Sequence, residues 1–239
     1  DWHQATTAEP LHVLTSGSTG QPKRVALSRD AMRAAAAATH ERLGGPGQWV
    51  LNLPPTNVAG LMVLFRSVVS GIPPADRIGA AGGRAYLSLV PTQLHRMLDD
   101  SASLQALRGF AAVLIGGAAF PPDLRQRAEA LGVPVVATYG MSETCGGCVY
   151  DGLPLDGVQL RIESGEVQIS APMLFEGYVG DESHTAEVLQ DGWFRTGDLG
   201  ELRDGRLTIT GRKDDLINSG GVKIPALVVA QCLKEAPRV

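Results

Sequence analysis

The strongest constraint on the fold is a rhythm in the apolar residues. Three largely apolar segments, Ala85-Tyr-Leu-Ser-Leu-Val90, Ala111-Ala-Val-Leu-Ile115 and Val133-Pro-Val-Val-Ala-Thr138, are separated by stretches of helical pattern that open near Pro91 and Pro121. Proline suits a first helical turn, where its missing N–H has no intrahelical acceptor anyway. A strand that is apolar throughout has to be covered on both faces, and helical connections return such strands parallel to one another. The expected architecture is α/β, a mostly parallel sheet flanked by helices.

Upstream, Leu11-His-Val-Leu-Thr15 reads as a buried strand and Arg24-Val-Ala-Leu27 as its return after a Gly-rich loop. Ser28 is a natural N-cap for an alanine-rich helix from about Arg29 to Leu43, stopped by Gly44-Gly45-Pro46. Trp49-Val-Leu-Asn-Leu53 reads as a strand, and Val58 to Val69, apolar on nearly every side, as a buried helix. The small-residue stretch Gly79 to Gly83 reads as a loose connection. From Gly157 the pattern changes to short segments bounded by turn residues: Val158 to Ile162, Glu166 to Ser170, Gly200 to Arg203 and Arg206 to Thr210. That is the signature of an antiparallel, barrel-like unit. The boundaries expected are 1–156 for the α/β core, 157–211 for the β-rich subdomain and 212–239 for a hinge and the start of a further, truncated domain.

Composition excludes several classes. With 239 residues, 44% hydrophobic and 19% charged, the chain can bury one large core or two smaller ones. A net charge of -4 disfavours nucleic acid and anionic membranes, which both require a basic face. No apolar run is long enough to span a bilayer. The opening Asp1-Trp2-His3-Gln4 shows no basic region followed by an apolar one of the kind a secretory signal has. The odd cysteine count makes a reducing, cytoplasmic setting the expectation. Three cysteines do not make a disulfide framework. Cys145-Gly-Gly-Cys148 has redox or half-zinc spacing but no histidine beside it, leaving coincidence or a shielded thiol pair. Both ends read as cut, the last residues being the start of a helical pattern at Leu227, Val228 and Cys232. The sequence does not fix an oligomeric state, a homodimer being the form considered.

The chemistry concentrates in a few motifs. Thr15-Ser16-Gly17-Ser18-Thr19-Gly20-Gln21-Pro22-Lys23 follows a strand and combines hydroxyls, glycines and a lysine. Glycines let backbone N–H groups approach phosphate oxygens, hydroxyls add donors, and lysine adds charge. A Walker A loop would need Gly-Lys-Ser/Thr opening a helix. Here Lys23 follows Pro22 and leads into a strand, which rejects that class and leaves a phosphate loop or a plain hairpin turn.

The loop resembles the phosphate signature of the adenylate-forming acyl-CoA ligase superfamily. Gly116-Gly117-Ala118 resembles that family's adenine-side turn, and Tyr139-Gly140-Met141-Ser142-Glu143-Thr144 its Tyr-Gly-x-Ser/Thr-Glu motif. Arg195-Thr196-Gly197-Asp198-Leu199-Gly200 is similar to its ribose turn. Gly211-Arg212-Lys213-Asp214-Asp215, followed by Ser219-Gly220-Gly221-Val222-Lys223-Ile224, is similar to the hinge into its small C-terminal domain. The resemblance covers almost the whole chain, with the motifs in the family's order.

It implies that Thr15 to Gly20 and Lys23 grip ATP phosphates and that Tyr139, beside Gly140, stacks on adenine. Asp198 accepts ribose hydroxyls, and Arg212 sits near ribose or phosphate. Glu143 holds Mg²⁺, Ser142 or Thr144 touches the α-phosphate, and Asp214 is the pivot. Read without the family, Tyr139 could cap the sheet and Asp198 could be a turn residue. Glu143 is harder to explain structurally, because the carboxyl end of a parallel strand is where such sheets bind ligands. The implied reaction joins a carboxylate to the α-phosphate of ATP, with Mg²⁺ and donors offsetting anion repulsion. A thiol such as coenzyme A then attacks the acyl-adenylate.

Leu53-Pro54-Pro55-Thr56-Asn57-Val58-Ala59-Gly60, on through Leu64-Phe65-Arg66-Ser67, resembles the o-succinylbenzoate–CoA ligases of menaquinone biosynthesis. By that likeness the acid is an aromatic dicarboxylate, with Arg66 on a carboxylate and Asn57, Gly116 and Gly117 bordering the acyl group. The alternative for Arg66 is a helix-end arginine snorkelling to solvent. The chain departs from the family in having Asn57 where histidine is usual, and a short segment between Ile72 and Ala85. The family's catalytic lysine also has no counterpart here: Lys223 lies in the hinge strand and Lys234 comes too early. The chain as it stands is expected to bind ATP better than it adenylates.

Overall fold

The computed structural model describes residues 9–15, 23–79, 82–219 and 222–225. In chain order the elements begin with β1 (Leu11–Leu14), β2 (Arg24–Leu27), α1 (Arg29–Arg42), β3 (Gln48–Trp49), α2 (Val58–Ser70), β4 (Ala85–Leu89), α3 (Pro91–Leu98) and α4 (Ser101–Leu107). Next come β5 (Ala112–Ile115), α5 (Pro122–Ala130), β6 (Val135–Met141), β7 (Gly146–Tyr150), β8 (Leu153–Pro154), β9 (Gln159–Glu163) and β10 (Glu166–Ser170). The last are β11 (Gly177–Tyr178), α6 (Glu182–Val188), β12 (Leu189–Gln190), β13 (Trp193–Arg203), β14 (Arg206–Arg212), β15 (Leu216–Ser219) and β16 (Val222–Pro225).

The central sheet runs β3-β4-β5-β6-β7-β8. Its first four strands are parallel, and β7 and β8 add on antiparallel. Alternation along the strands divides the interior into two cores. Tyr86, Ala112 and Leu114 point into one with Ala35 and Met32 of α1 and Met62 of α2. Leu87, Leu89, Val113 and Ile115 point into the other with Leu94 of α3 and Leu124 and Ala128 of α5. Both faces are covered, which is why these strands are largely apolar on both sides.

A second, antiparallel sheet has the order β12-β13-β10-β9, with β14 pairing β13, and curls as a half-barrel. A third sheet, β1-β2-β11, sets Tyr178 opposite Val25. It joins the N-terminal hairpin to a segment far along the chain.

Two expectations change, and one helix was not foreseen. The strand at Leu11 is not buried throughout: Val13 is, but Leu14 is 58% exposed, because β1 is an edge with a partner on one side only. The strand expected over Trp49 to Leu53 stops at Trp49, where the chain around Ala75 comes alongside. Ala75 N–H donates to Trp49 O and Leu51 N–H to Ala75 O. Helix α4 gave no clear signal in sequence; Asp100 caps it by accepting from Ser103 N–H at 2.8 Å. Ser28 does cap α1, accepting from Ala31 N–H at 3.1 Å.

Tyr86 ties α1 to the central sheet. Its ring is fully buried against Trp49, and its hydroxyl lies 2.7 Å from Gly45 O and 3.1 Å from Leu43 O. Tyr86→Phe is expected to cost about 1 kcal/mol, the net worth of such a hydrogen bond. The midpoint of urea unfolding should drop with its slope unchanged; an unchanged midpoint would mean the hydroxyl contributes nothing.

Candidate functional site

The site forms where β6 ends. Gly140 is required there: a Cβ on it would stand 2.0 Å from Gly146 O, so only glycine lets β6 and β7 come this close. The chain then makes a single 3₁₀ turn, Ser142–Thr144. Thr144 is fully buried and its hydroxyl is used within the turn, accepting from Met141 N–H at 2.9 Å and donating to Gly146 O at 2.7 Å. This corrects one expectation: Thr144 braces the turn and does not face the cleft, while Ser142 does.

The cleft has a volume of about 710 Å³. At one end Glu143 is buried, and its Oε1 accepts from Tyr178 Oη at 2.8 Å. Burial, and then the Glu143 charge, push the Tyr178 hydroxyl well above its usual range, so it stays a donor. The Lys23 ammonium lies 5.0 Å over the Tyr178 ring and 2.8 Å from His184 Nε2. Thr15 closes the base of this hairpin, its N–H donating to Lys23 O at 2.8 Å and its hydroxyl accepting from Lys23 N–H at 3.3 Å. Ser16, Gly17, Ser18, Thr19 and Gly20 lie outside the described residues.

A hydrogen-bonded chain runs beside the other wall. Tyr139 Oη donates to Asp198 Oδ2 at 2.8 Å, and Arg212 Nη1 donates to Asp198 Oδ1 at 3.0 Å. Arg212 Nη2 reaches Asp214 at 3.6 Å. Burial raises the Asp198 carboxyl, opposed by the Tyr139 hydrogen bond and Arg212. Gly140, Thr196, Gly197, Arg212 and Asp214 line the cleft here; Tyr139 and Asp198 stand off its wall, bonded to each other.

Glu166 anchors this side. Its buried carboxylate takes Lys213 Nζ at 2.6 Å, Arg195 at 3.1 Å and the Gly197 N–H at 3.1 Å. Burial alone would raise its pKa, but Lys213, Arg195 and the Gly197 amide outweigh that and hold it below the ordinary value.

Leu53, Pro54, Asn57, Val58, Ala59, Val90 and Gly117 line a more apolar part of the cleft. Asn57 stands at the N-cap of α2 without a side-chain capping bond. Gly117 has φ +75, and Gly116 sits off the wall, where a Cβ would meet Thr138 Oγ1 at 2.4 Å. Thus Gly116 serves the packing of β5 against β6 rather than the cleft.

Arg66 is 4% exposed, which overturns the snorkelling alternative. Its guanidinium lies 4.7 Å over the Trp49 ring and donates to Thr39 Oγ1 at 3.4 Å, and its buried Nε has no partner among the described residues. It is not on the cleft wall either. Cys145 and Cys148 are free and fully buried, and burial pushes both thiols up to about 12.

Among the described residues no three His, Cys, Asp or Glu side chains form a metal-capable group. Glu143 alone still fits Mg²⁺, a cation commonly held by one or two carboxylates plus phosphate oxygens and water. Its carboxylate faces the cleft and, among the described residues, takes only the Tyr178 hydroxyl.

A sheet whose carboxyl end presents a lone carboxylate beside a held lysine is suited to a nucleotide's phosphates. The model of the AMP-binding enzyme family matches residues 11–179, and the chain belongs to that family. The chain is 44% identical over 248 residues to a probable 2-succinylbenzoate–CoA ligase of Mycobacterium tuberculosis, covering 96% of this chain and 64% of that protein. It is 34% identical to the 2-succinylbenzoate–CoA ligase of Escherichia coli, covering 98% of this chain and 55% of that one. Among solved structures it resembles the o-succinylbenzoate–CoA synthetase of Bacillus subtilis in complex with AMP, with a TM-score of 0.84, 29% identity and coverage of 95% and 54%. The same synthetase with ATP and magnesium gives a TM-score of 0.82 at 28% identity, covering 93% of this chain and 54% of that one. The chain thus spans between half and two thirds of the relatives it matches.

Tyr178, His184, Glu166 and Lys213 were not singled out from the sequence. A Gly-Tyr pair after Phe175 carries no chemical signal of its own; Tyr178 acquires one only by pairing with β2.

Because Glu166 has a lowered pKa in the fold, it stabilises above the ordinary carboxylate value of 4.5, and that stability is lost as pH falls through its folded value. Glu166→Gln should therefore lower stability at pH 7 and flatten the acid limb of a stability-against-pH curve below about 4.5. An acid limb as steep as the wild type's would place the titration elsewhere.

Proposed function

We propose that this chain carries the nucleotide- and acid-binding part of an AMP-forming acid–CoA ligase acting on o-succinylbenzoate. ATP is the first substrate, the acyl-adenylate the intermediate and coenzyme A the thiol acceptor, a step of menaquinone biosynthesis. The observation that carries the reading is the convergence of Glu143 and Lys23 on Tyr178 at one end of the cleft. The relatives named for this reaction support the choice of acid.

Attack of a carboxylate on a phosphate brings anions together, so the barrier is largely electrostatic. Mg²⁺, held by Glu143, supplies neutralising charge on the phosphates when bound. Lys23 contributes an ammonium, Ser142 a hydroxyl toward the α-phosphate, and Thr15 the base of the phosphate loop. Asp198, with Arg212 beside it, is assigned to the ribose hydroxyls, and Tyr139, its hydrogen-bond partner, to the adenine. Asp214 is the pivot of the hinge. The apolar wall from Leu53 to Val90 takes the aromatic ring, with Asn57 and Gly117 at its border. Arg66, a buried cation with no acidic partner among the described residues, is assigned to the second carboxylate of the acid; it stands behind the cleft wall, so this assignment rests on its unpaired charge and on the likeness in sequence and not on a contact with the cleft.

Two other readings remain distinct: a ligase of the same family for another acid, and a binding module without turnover, which Asn57 motivates. Carboxylate-dependent pyrophosphate–ATP exchange on the full-length protein separates the three. Exchange with other acids but not o-succinylbenzoate would sink the choice of acid, and no exchange with any acid would leave the binding module. Glu143→Gln should reduce exchange by about 10²-fold or more, since charge neutralisation by a metal is worth several kcal/mol. Circular dichroism should be unchanged; exchange at the wild-type rate would remove Glu143 from the metal site.

A further inference from the structure

His184 has no part in the reaction proposed for the cleft, yet it makes the shortest polar contact to the Lys23 ammonium among the described residues, 2.8 Å through Nε2. Lysine can only donate, so Nε2 accepts and carries no proton. On the other side of the ring Nδ1 lies 3.5 Å from Glu187 Oε2.

The imidazole is held on several sides. It stacks on the Tyr178 ring at 4.8 Å between centroids with a 19° interplanar angle. Its backbone N–H donates to Asp181 Oδ1 at 3.1 Å in the first turn of α6. That turn is fixed to β11, since Thr185 Oγ1 accepts from Tyr178 N–H at 2.8 Å. Gly177 makes the approach possible: a Cβ there would stand 2.8 Å from Thr185 Cγ2. Tyr178 in turn is paired to Val25, two residues beyond Lys23. The His184 ring and the Lys23 stem are thus carried by neighbouring elements whose spacing the β2–β11 pairing sets. His184, Lys23 and Glu187 all line the cleft.

We propose that His184 is a positioning residue for phosphate binding, its imidazole Nε2 holding the Lys23 ammonium over the Tyr178 ring before a nucleoside triphosphate arrives. A lysine stem is flexible, and fixing its ammonium on a phosphate costs rotamer freedom. Here much of that cost is met in the folded protein, leaving less to lose on binding. The ligand class is a polyphosphate with its magnesium, and this role for His184 rests on the reading that the cleft takes MgATP.

The test uses the full-length protein and two readouts: equilibrium binding of MgATP by calorimetry, and pyrophosphate–ATP exchange with MgATP and acid varied separately. His184→Ala should weaken MgATP binding about tenfold or more, the scale of one hydrogen bond to a charged group. It should raise the KM for MgATP and leave the KM for the acid unchanged. His184→Gln, whose carbonyl can still accept from lysine, should bind within about twofold of wild type. In a Lys23→Met background His184→Ala should have no further effect, since the group it positions is gone. Thermal melting of each variant checks that the fold survives.

Unchanged MgATP binding in His184→Ala would overturn the proposal. So would effects that multiply with those of Lys23→Met, or a His184→Gln variant as impaired as His184→Ala, which would make the ring a packing element on Tyr178. Wild-type binding without exchange would sink the ligase reading alone, because the His184 comparison still stands on binding. A wild type that does not bind MgATP would sink both.

Discussion

The hydrogen bond from Tyr178 to Glu143 joins parts of the molecule that are far apart in sequence. Tyr178 belongs to the sheet β1-β2-β11, and Glu143 to the turn at the end of β6 in the central sheet. Phe175 and Phe194 pack edge to face beside it, so the half-barrel meets the same junction. Phe175 N–H also donates to Glu143 O at 2.8 Å, tying the main chains together there. A carboxylate buried this far needs a donor. Meeting that need aligns the lysine hairpin, the strand end and α6 on one cleft.

The opposite wall is organised differently. Glu166 draws Lys213, Arg195 and the Gly197 amide onto one carboxylate. Lys213 N–H also donates to Gly197 O at 2.8 Å. The backbone next to Arg212 and Asp214 is therefore secured to the half-barrel through both side chain and main chain. A chain pivoting at Asp214 would turn about a fixed point rather than a loose one. Removing one member of such a buried set leaves the others uncompensated, which makes it costly to alter piecemeal.

Much of the fold was legible because its signals are local. Apolar strands, the Ser28 cap, Pro91 at a first turn and Gly44 after α1 each report their own neighbourhood. The failures came where a distant segment decided the outcome. Trp49 to Leu53 has strand composition, but the chain at Ala75 takes its hydrogen bonds. Thr144 has the right chemistry for a phosphate, yet the tightness of its own turn consumes its hydroxyl. Glu143, Lys23, Asp198 and Arg212 were legible as motif residues; Tyr178 and His184 were not, since strand pairing across the molecule gives them their partners. Arg66 was recognisable as an expensive charge, but its cradle of Trp49 and Thr39 comes from other elements.

Cys145 and Cys148 sit just beyond the Glu143 turn with both thiols buried and pushed up to about 12. Thiolate is the reactive form, so neither sulfur should be attacked while the β6–β7 hairpin stays shut. Their labelling by a thiol reagent is then limited by how often this part of the core opens. The pair is a built-in clock on the opening of the strand end that carries the cleft, readable at cysteines the chain already has.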